Sequence, residues 1–318
     1  MFKRIKEKGF TIKEIIKMKK RQRKIKKSSK KYTLEDLIKD FKEIGINRGD
    51  IILLHSSLKS LGYVKGGTKT IIRTFLKLIG PEGTLVMPTY PMRGGVLDNC
   101  LKGGFIFNYK KSRAYTGAIP NEFLKMKGIK RSIHPTHSIS AIGKYAREIT
   151  EKHHIGNKTY GENSPWAKIA ELNGKIFGLG ITIAWTTQYH HLEDIMGEDF
   201  PVKVKVDETF KLKCVVEKKH IIEVEVQPND PNVYQTRIEK NPFLLEYFTE
   251  IYSKLKVLHY GKIGNSSSWW VFAKEFMDIL RKLAEMGITI YSTEEYLKQN
   301  NLYPFDLIRN RLEKNKVN

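Results

Sequence analysis

Short runs of apolar residues, each closed by a polar or glycine-bearing loop, most constrain how this 318-residue chain folds. Residues 51–54 (IILL) are wholly apolar, residues 84–87 (TLVM) nearly so, and residues 174–184 form a third, β-branched run. A run of this length without polar alternation is typical of a strand that is covered on both faces. The amphipathic segment 68–79 lies between the first two runs, and strands that alternate with helices predict an α/β fold.

The pattern changes in the C-terminal half. Residues 202–226 alternate charged and apolar side chains, which predicts antiparallel hairpins with one solvated face, and a turn is expected at residues 217–220. Residues 269–286 have the spacing of one long amphipathic helix that ends at Gly287, and a short strand is expected directly after it. The sequence therefore predicts an α/β protein with an added antiparallel β-hairpin region.

Residues 180–195 (GITIAWTTQYHHLEDI) follow the third apolar run and carry the densest group of polar side chains. On a helix that starts at Thr187, the side chains of Thr187, His190 and Glu193 share a face because they are three residues apart. A neutral imidazole beside a carboxylate can act as a general base with an orienting partner. The structural alternative is a helix start that Thr187 caps, and His191 is the rival base.

The loop after the first apolar run contains His55, Ser56 and Ser57, and it ends with Gly66 and Gly67 ahead of a helix. Such a loop can offer backbone N–H groups to a phosphate at the helix N-terminus. It matches neither the Gly-x-Gly-x-x-Gly pattern nor a Walker loop, and ordinary turn chemistry also accounts for its glycines.

The positive charge of the chain is concentrated at its N-terminus. Residues 1–31 hold fifteen Lys or Arg and two Glu, and so contribute thirteen of the 23 net positive charges. This basic arm is a candidate for contact with nucleic acid or an anionic membrane surface, and a solvated extension is the alternative. Cys100 and Cys214 form no disulfide framework, and the chain lacks a membrane span and a signal peptide, which favours a cytoplasmic protein, with peripheral membrane contact left open.

Several motifs, in this order and spacing, resemble the aminoglycoside 3-N-acetyltransferase family, an antibiotic N-acetyltransferase fold distinct from the GNAT type. The resemblance covers roughly residues 33–300. The motifs that carry it are residues 55–58 (HSSL) with Gly62, Val64, Gly66 and Gly67; residues 83–89 (GTLVMPT); residues 117–120; Arg131, Ser132, His134, Pro135 and Ser138; Gly161, Glu162, Ser164 and Pro165; and Thr187, His190 and Glu193.

The resemblance implies a three-layer α/β/α sandwich with a mixed β-sheet, and direct acetyl transfer from acetyl-CoA to a primary amine without a metal. It implies that His190 is the essential histidine and Glu193 its partner, with Thr187 in the same motif. The cofactor-binding residues would be His55, Ser56, Ser57, Val64, Gly66 and Gly67. The acetyltransferase domain would span residues 32–300, between the basic extension 1–31 and a C-terminal tail 301–318.

The acceptor is the part of the function on which the resemblance and the charge disagree. A site for polycationic aminoglycosides needs clustered carboxylates, whereas residues 32–318 still carry a net charge of about +10. We therefore expect a nucleotide-linked or polysaccharide amino sugar, with a free aminoglycoside as the alternative. Two other classes stay open: a metal hydrolase using His190, His191 and Glu193 with His134 or His137, and a non-enzymatic anion-binding protein. The sequence leaves the oligomeric state open.

Overall fold

A mixed seven-stranded β-sheet with helices on both faces forms the centre of the molecule. The computed structural model describes Lys20 and residues 30–216 and 220–313. The strands in these residues are β1 (Lys31–Tyr32), β2 (Ile51–Ser56), β3 (Tyr63–Val64), β4 (Thr84–Pro88), β5 (Ile106–Asn108), β6 (Lys130–Arg131), β7 (Ile139–Gly143), β8 (Lys175–Leu179), β9 (Phe210–Val215), β10 (Ile221–Val226), β11 (His259–Ile263) and β12 (Ser266–Phe272).

The helices are mostly short, and 3-10 turns lie between some of them. The α-helices in the described residues are α1 (Leu34–Glu43), α2 (Thr68–Ile79), α3 (Val96–Lys102), α4 (Ala118–Phe123), α5 (Ala146–Thr150), α6 (Pro165–Glu171), α7 (Gln188–Met196), α8 (Pro242–Lys254), α9 (Ala273–Glu285), α10 (Glu294–Gln299) and α11 (Arg309–Glu313). Among the described residues no helix is both long enough and apolar enough to cross a bilayer.

The central sheet has the order β11-β12-β8-β2-β4-β7-β6. Strand β2 pairs in parallel with both β4 and β8, whereas the outer pairings are antiparallel. The carboxyl ends of β2 and β8 consequently lie at the same edge of the sheet, where α/β proteins commonly bind ligands. The functional residues predicted from the sequence lie at the carboxyl end of β2 or follow one of these two strands along the chain.

Alternation along the central strands divides the core into two layers. Leu53 and Ile176 face one apolar cluster, which includes residues of α6, α7, α8 and α9. Ile52, Leu54 and Phe177 face the other cluster, which includes residues of α1 and α2. The sheet is therefore covered on both faces, and the predicted three-layer α/β/α fold is confirmed.

The predicted antiparallel hairpin is the β9–β10 pair, and β5 joins it in parallel to make a separate three-stranded sheet. Residues 217–219 of the predicted turn lie outside the described residues. The helix predicted over residues 269–286 is wrong in its first turn, because β12 continues to Phe272 and α9 begins at Ala273. The short strand predicted after Gly287 is also wrong, since residues 288–292 form a turn.

The division of the chain into an arm, a domain and a tail stays a prediction. Nearly all of the basic arm lies outside the described residues. In the segment named as a tail, Leu302, Phe305, Ile308 and Leu312 are buried in the same apolar cluster as Leu53.

Candidate active site

The loop between β8 and α7 is held tightly against the loop that follows β2. Gly180 has a φ of +65°, and a Cβ atom at this position would lie 1.9 Å from the Ser60 hydroxyl. The N–H of Ser57 donates to the carbonyl of Leu179 at 2.9 Å. A glycine is required by this close approach, and the two predicted functional loops therefore begin side by side.

Helix α7 carries the predicted imidazole–carboxylate pair as a hydrogen bond. The Nδ1 of His190 lies 2.8 Å from Oε2 of Glu193. The side chain of Glu193 is 1% exposed and that of His190 is 12% exposed. When Nδ1–H donates to the carboxylate, Nε2 is the ring nitrogen that can accept a proton.

Thr187 precedes this helix, and its side chain makes no capping hydrogen bond. Its Oγ1 instead accepts a hydrogen bond from the Nε1–H of Trp166 at 2.6 Å. Thr187 therefore occupies the N-cap position of α7, as the structural alternative expected, but its side chain does not cap the helix. Trp166 is fully buried, so this bond fixes the start of α7 to α6.

His191, the rival base, faces away from the pair. Its Nδ1 is hydrogen-bonded to the backbone carbonyl of Tyr160. Burial lowers the pKa of His191, although that carbonyl and the nearby Asp194 oppose the change. In the part of the chain that the structure describes, His190 lines the adjoining cleft and His191 does not.

The cleft has a volume of about 290 Å³ and is formed by six parts of the chain. They are the loop after β4 with the start of α3, the histidine-bearing loop before β7, the loop before α6, the start of α7, the segment before β9 that carries Lys205, and the segment from β10 to residue 239. Trp185, which is 60% exposed, and Tyr160 provide aromatic walls beside His190. A concave site with a few convergent polar groups is typical of a small-molecule pocket.

The charged side chains around the cleft are paired. The Nζ of Lys205 lies 2.8 Å from Oδ1 of Asp194, and the Nε of Arg237 donates to Oε2 of Glu239 at 2.6 Å. Within the described residues, Glu239 is the carboxylate that lines the cleft. A cationic ligand would therefore meet a carboxylate that Arg237 already holds.

These charges set the ionisation of the buried groups. Burial alone would raise the pKa of the Glu193 carboxyl, but His190, the Tyr291 hydroxyl and Lys205 outweigh it and hold the pKa below its ordinary value. Burial, together with His190 and Lys205, lowers the pKa of His137 well below its ordinary value. At neutral pH Glu193 is consequently ionised and His137 is neutral.

The residues predicted to bind the cofactor lie on a neighbouring part of the same sheet edge. His55 and Ser56 end β2, Ser57 follows them, and Val64 ends β3. Gly66 and Gly67 have φ angles of +83° and +59° and precede α2. These residues do not line the His190 cleft in the described part of the chain, so the two predicted groups adjoin without sharing one pocket.

Several contributors to the site were missed in the sequence, and Tyr291 and Lys205 are two of them. Tyr291, which is 98 residues beyond Glu193, donates its hydroxyl to Oε1 of Glu193 at 2.7 Å. Lys205 lies in the alternating segment that predicted a hairpin, and nothing in that pattern marks it as a cleft residue. Since neither is near His190 in sequence, only the tertiary fold brings them to it.

The side chains that a metal hydrolase would use as ligands do not converge on one position. His190 and His191 direct their Nδ1 atoms to different partners, Glu193 and the Tyr160 carbonyl. Among the described residues, no three His, Cys, Asp or Glu side chains form a group that could hold a metal ion. The arrangement instead places the imidazole of His190 at the cleft with the buried carboxylate of Glu193 behind it.

Comparison with known proteins gives one consistent result. A family model described as aminoglycoside 3-N-acetyltransferase matches residues 53–285. A curated protein of Salmonella, aminoglycoside N(3)-acetyltransferase III, is 27% identical over 271 residues, which cover 81% of this chain and 91% of that protein.

Solved structures agree on the fold. The crystal structure of the YokD protein from Bacillus subtilis superposes with a TM-score of 0.64 at 24% identity, covering 83% of this chain and 96% of that chain. The AAC-IIIb binary complex with CoASH gives the same score and identity, and covers 78% of this chain and 94% of its own.

Proposed function

Since this chain belongs to the aminoglycoside 3-N-acetyltransferase family, we propose that it transfers an acetyl group to a primary amine with His190 as general base and Glu193 as its partner. The chain is an acyl-CoA-dependent N-acyltransferase. The observation that carries the proposed roles is the 2.8 Å hydrogen bond between His190 Nδ1 and Glu193 Oε2 at the wall of the cleft.

The nucleophile is the neutral amine, which forms when the ammonium group of the acceptor releases one proton to solvent, and His190 removes the second proton from the nitrogen. The Nε2 of His190 accepts this proton as the nitrogen attacks the thioester carbonyl, and the imidazolium that forms is stabilised by the Glu193 carboxylate. The C–N bond forms, the C–S bond breaks, and the thiolate takes the proton from His190. This direct transfer requires no covalent enzyme intermediate, and both cysteines are buried free thiols.

The proposed site for the phosphates of the CoA thioester is the segment from the end of β2 at His55 to the start of α2. Helix α2 starts at Thr68; its N-cap residue, Gly67, offers no side-chain cap, and the first turn of the helix holds no acidic residue. Among the described residues the N–H groups of Thr68 and Lys69 have no acceptor and can donate to an anion, whereas those of Gly67 and Thr70 donate to backbone carbonyls. Gly66 and Gly67 carry no side chain that would block the approach of the anion. His55, Ser56, Ser57 and Val64 complete this proposed binding surface.

The acceptor that the relatives favour is an aminoglycoside amine. The Salmonella relative is named as an aminoglycoside N(3)-acetyltransferase, and the family model carries the same substrate in its description. This support goes against the nucleotide-linked or polysaccharide amino sugar that the net charge of the chain favours. A resistance-type acetylation of an aminoglycoside amine is therefore our first proposal for the acceptor.

One observation keeps an acceptor with fewer positive charges as a second candidate. Lys205 and Arg237 line the cleft, and the one carboxylate described there, Glu239, is already bound by Arg237. A polycation would bring further ammonium groups toward these two cations without an unpaired carboxylate to receive them. An amino sugar that carries an anionic group would bring fewer positive charges toward Lys205 and Arg237.

Release of CoA from acetyl-CoA, measured with a panel of amines, tests both the acetyl transfer and the identity of the acceptor. The panel contains kanamycin-like aminoglycosides and nucleotide-linked amino sugars, and kcat/KM is compared between the two groups. Higher kcat/KM for the aminoglycosides supports the first acceptor, and the reverse order supports the second.

The His190→Gln variant tests the base with the preferred amine. General-base catalysis is typically worth about 10²- to 10⁴-fold, so we expect at least a hundredfold loss of kcat. His220→Gln is the matched control, because His220 is exposed and lies outside the cleft. Retention of wild-type kcat by His190→Gln would disprove the assigned role.

A further inference from the structure

The carboxylate behind His190 is held from both sides. One oxygen of Glu193, Oε2, faces His190 Nδ1 at 2.8 Å, and the other, Oε1, accepts the hydroxyl of Tyr291 at 2.7 Å. Each carboxylate oxygen thus has one donor. A glutamate carboxylate that accepts a hydrogen bond at one oxygen can still rotate about its Cγ–Cδ bond. When both oxygens accept hydrogen bonds, the plane of the carboxylate is fixed.

Tyr291 is itself fixed by the backbone around it. The N–H of Tyr291 donates to the Thr289 hydroxyl at 3.2 Å, and the Thr289 N–H donates to the Ser292 hydroxyl at 2.9 Å. The carbonyl of Ile290 accepts from the Ile238 N–H at 2.9 Å, which attaches this turn to the cleft wall. The position of the phenol hydroxyl is therefore determined by the fold and not by solvent.

Because it is buried, the hydrogen bond from Tyr291 to Glu193 affects the ionisation of the Glu193 carboxyl. Glu193 and Tyr291 are both buried, so an unsatisfied carboxylate oxygen would find no water to replace the phenol. Burial and the adjacent Glu193 raise the pKa of Tyr291 far above its ordinary value, which keeps the phenol a donor at neutral pH. The other titratable and charged groups that act on Glu193 or Tyr291 are His190, Lys205, Arg237, Tyr234 and Tyr160, and His137 faces His190 across the cleft.

We propose that Tyr291 is a positioning residue, whose hydroxyl fixes the Glu193 carboxylate against His190 and sets the pH at which the His190–Glu193 pair takes up a proton. This inference rests on the proposed function of that pair. Tyr291 does not line the cleft in the described part of the chain, so it acts through Glu193 and touches no substrate.

The variant Tyr291→Phe removes the hydroxyl and leaves the ring. The state with an ionised Glu193 and a neutral His190 loses a donor, whereas the state with one more proton depends less on it. The pair should consequently take up its proton at higher pH. We expect a kcat at least tenfold lower at neutral pH, a KM for the amine within threefold of wild type, and an acidic limb of the kcat/KM profile moved to higher pH.

Tyr247→Phe is the matched control, because the hydroxyl of this buried tyrosine donates to the Leu302 carbonyl, away from the pair. It should leave the pH profile unchanged. A second comparison uses the Glu193→Gln background, in which adding Tyr291→Phe should change kcat less than threefold. An equal loss in both backgrounds would indicate a structural role and would overturn the proposal.

A readout without turnover separates this inference from the proposed function. The titration of His190 is followed by NMR of ¹³C-labelled histidine in the free protein, and its resonance is assigned with His190→Gln. We expect the titration midpoint to move to higher pH in Tyr291→Phe and to stay in place in Tyr247→Phe. An unmoved midpoint overturns the proposal, whereas absence of CoA release by the wild type would count against the proposed function alone.

Discussion

Glu193 shows what a local pattern can and cannot predict about a site. Its spacing of three residues from His190 predicted that the two side chains share a helix face, and their atoms lie 2.8 Å apart. Its burial and its second donor, Tyr291, depend on a turn 98 residues away. Spacing therefore predicts a pair on one helix, but the groups that tune the pair come from the tertiary fold.

Glu193→Gln gives a test at the same scale. The amide oxygen can still accept from Tyr291, but the amide NH₂ then faces His190 Nδ1 and favours the tautomer with Nε2 protonated. Nε2 can no longer accept a proton from the amine, so we expect kcat to fall at least about a hundredfold with little loss of stability. Steady-state CoA release and a thermal melt measure the two quantities.

Glu198→Gln is the control for that variant, because this exposed carboxylate follows the same helix without contacting the pair. Its kcat should match that of the wild type. A Glu193→Gln protein that turns over at the wild-type rate would show that the carboxylate has no part in placing the proton.

At the scale of elements, β12 shows why the sequence predicts a helix where the structure has a strand. Residues 269–286 keep an apolar spacing that suits a helix throughout, yet Trp269, Trp270 and Val271 pair with β8, and both tryptophans also pair with β11. Aromatic and β-branched residues are favoured in strands, and two neighbouring strands outweigh a weak helical period. In contrast, α2 was predicted with its observed bounds, because its apolar face and flanking glycines are all local.

The packing of β8 on β12 yields a prediction for Gly178→Ala. A Cβ atom on Gly178 would lie 2.1 Å from a ring atom of Trp269, whose Nε1–H donates to the Ile181 carbonyl at 2.7 Å in the loop before α7. The ring must move, so we expect a loss of about 1–3 kcal/mol in the free energy of unfolding. Urea unfolding measures it, and kcat should fall because the displaced loop carries His190.

Ser267→Ala, at an exposed position of β12, is the control and should leave both unfolding and kcat unchanged. If Gly178→Ala unfolds at the wild-type urea concentration, the close contact with Trp269 is not as tight as the distances indicate.

At the scale of the whole molecule, the fold class followed from the sequence and the strand order did not. Apolar runs between amphipathic helices predicted a layered α/β protein, which is confirmed. The order β11-β12-β8-β2-β4-β7-β6 places β8 beside β2 although more than a hundred residues separate them. That adjacency brings the loop after His55 beside the loop before His190, and no local pattern encodes it.

The molecule also buries a set of histidines with lowered pKa values, which predicts acid-sensitive folding. Burial lowers the pKa of His55 from 6.5 to about 4 and that of His153 to about 3, and it lowers those of His134 and His137 well below 6.5. As the pH falls below about 6.5, these imidazoles become protonated in the unfolded chain but stay neutral in the folded chain. The free energy of unfolding therefore decreases with falling pH. For His55 alone the loss amounts to about 3 kcal/mol once the pH reaches 4.

Urea unfolding midpoints measured at pH 7.5, 6 and 5 check this effect, and we expect them to decrease stepwise. His55→Leu should weaken the dependence, because its Nε2 has no hydrogen bond partner in the described part of the chain and an apolar side chain removes the titrating group. His220→Gln, at an exposed position, should leave the dependence as in the wild type. Equal midpoints at pH 7.5 and 5 would mean that the buried imidazoles accept protons without unfolding, and that the core around them is open to water.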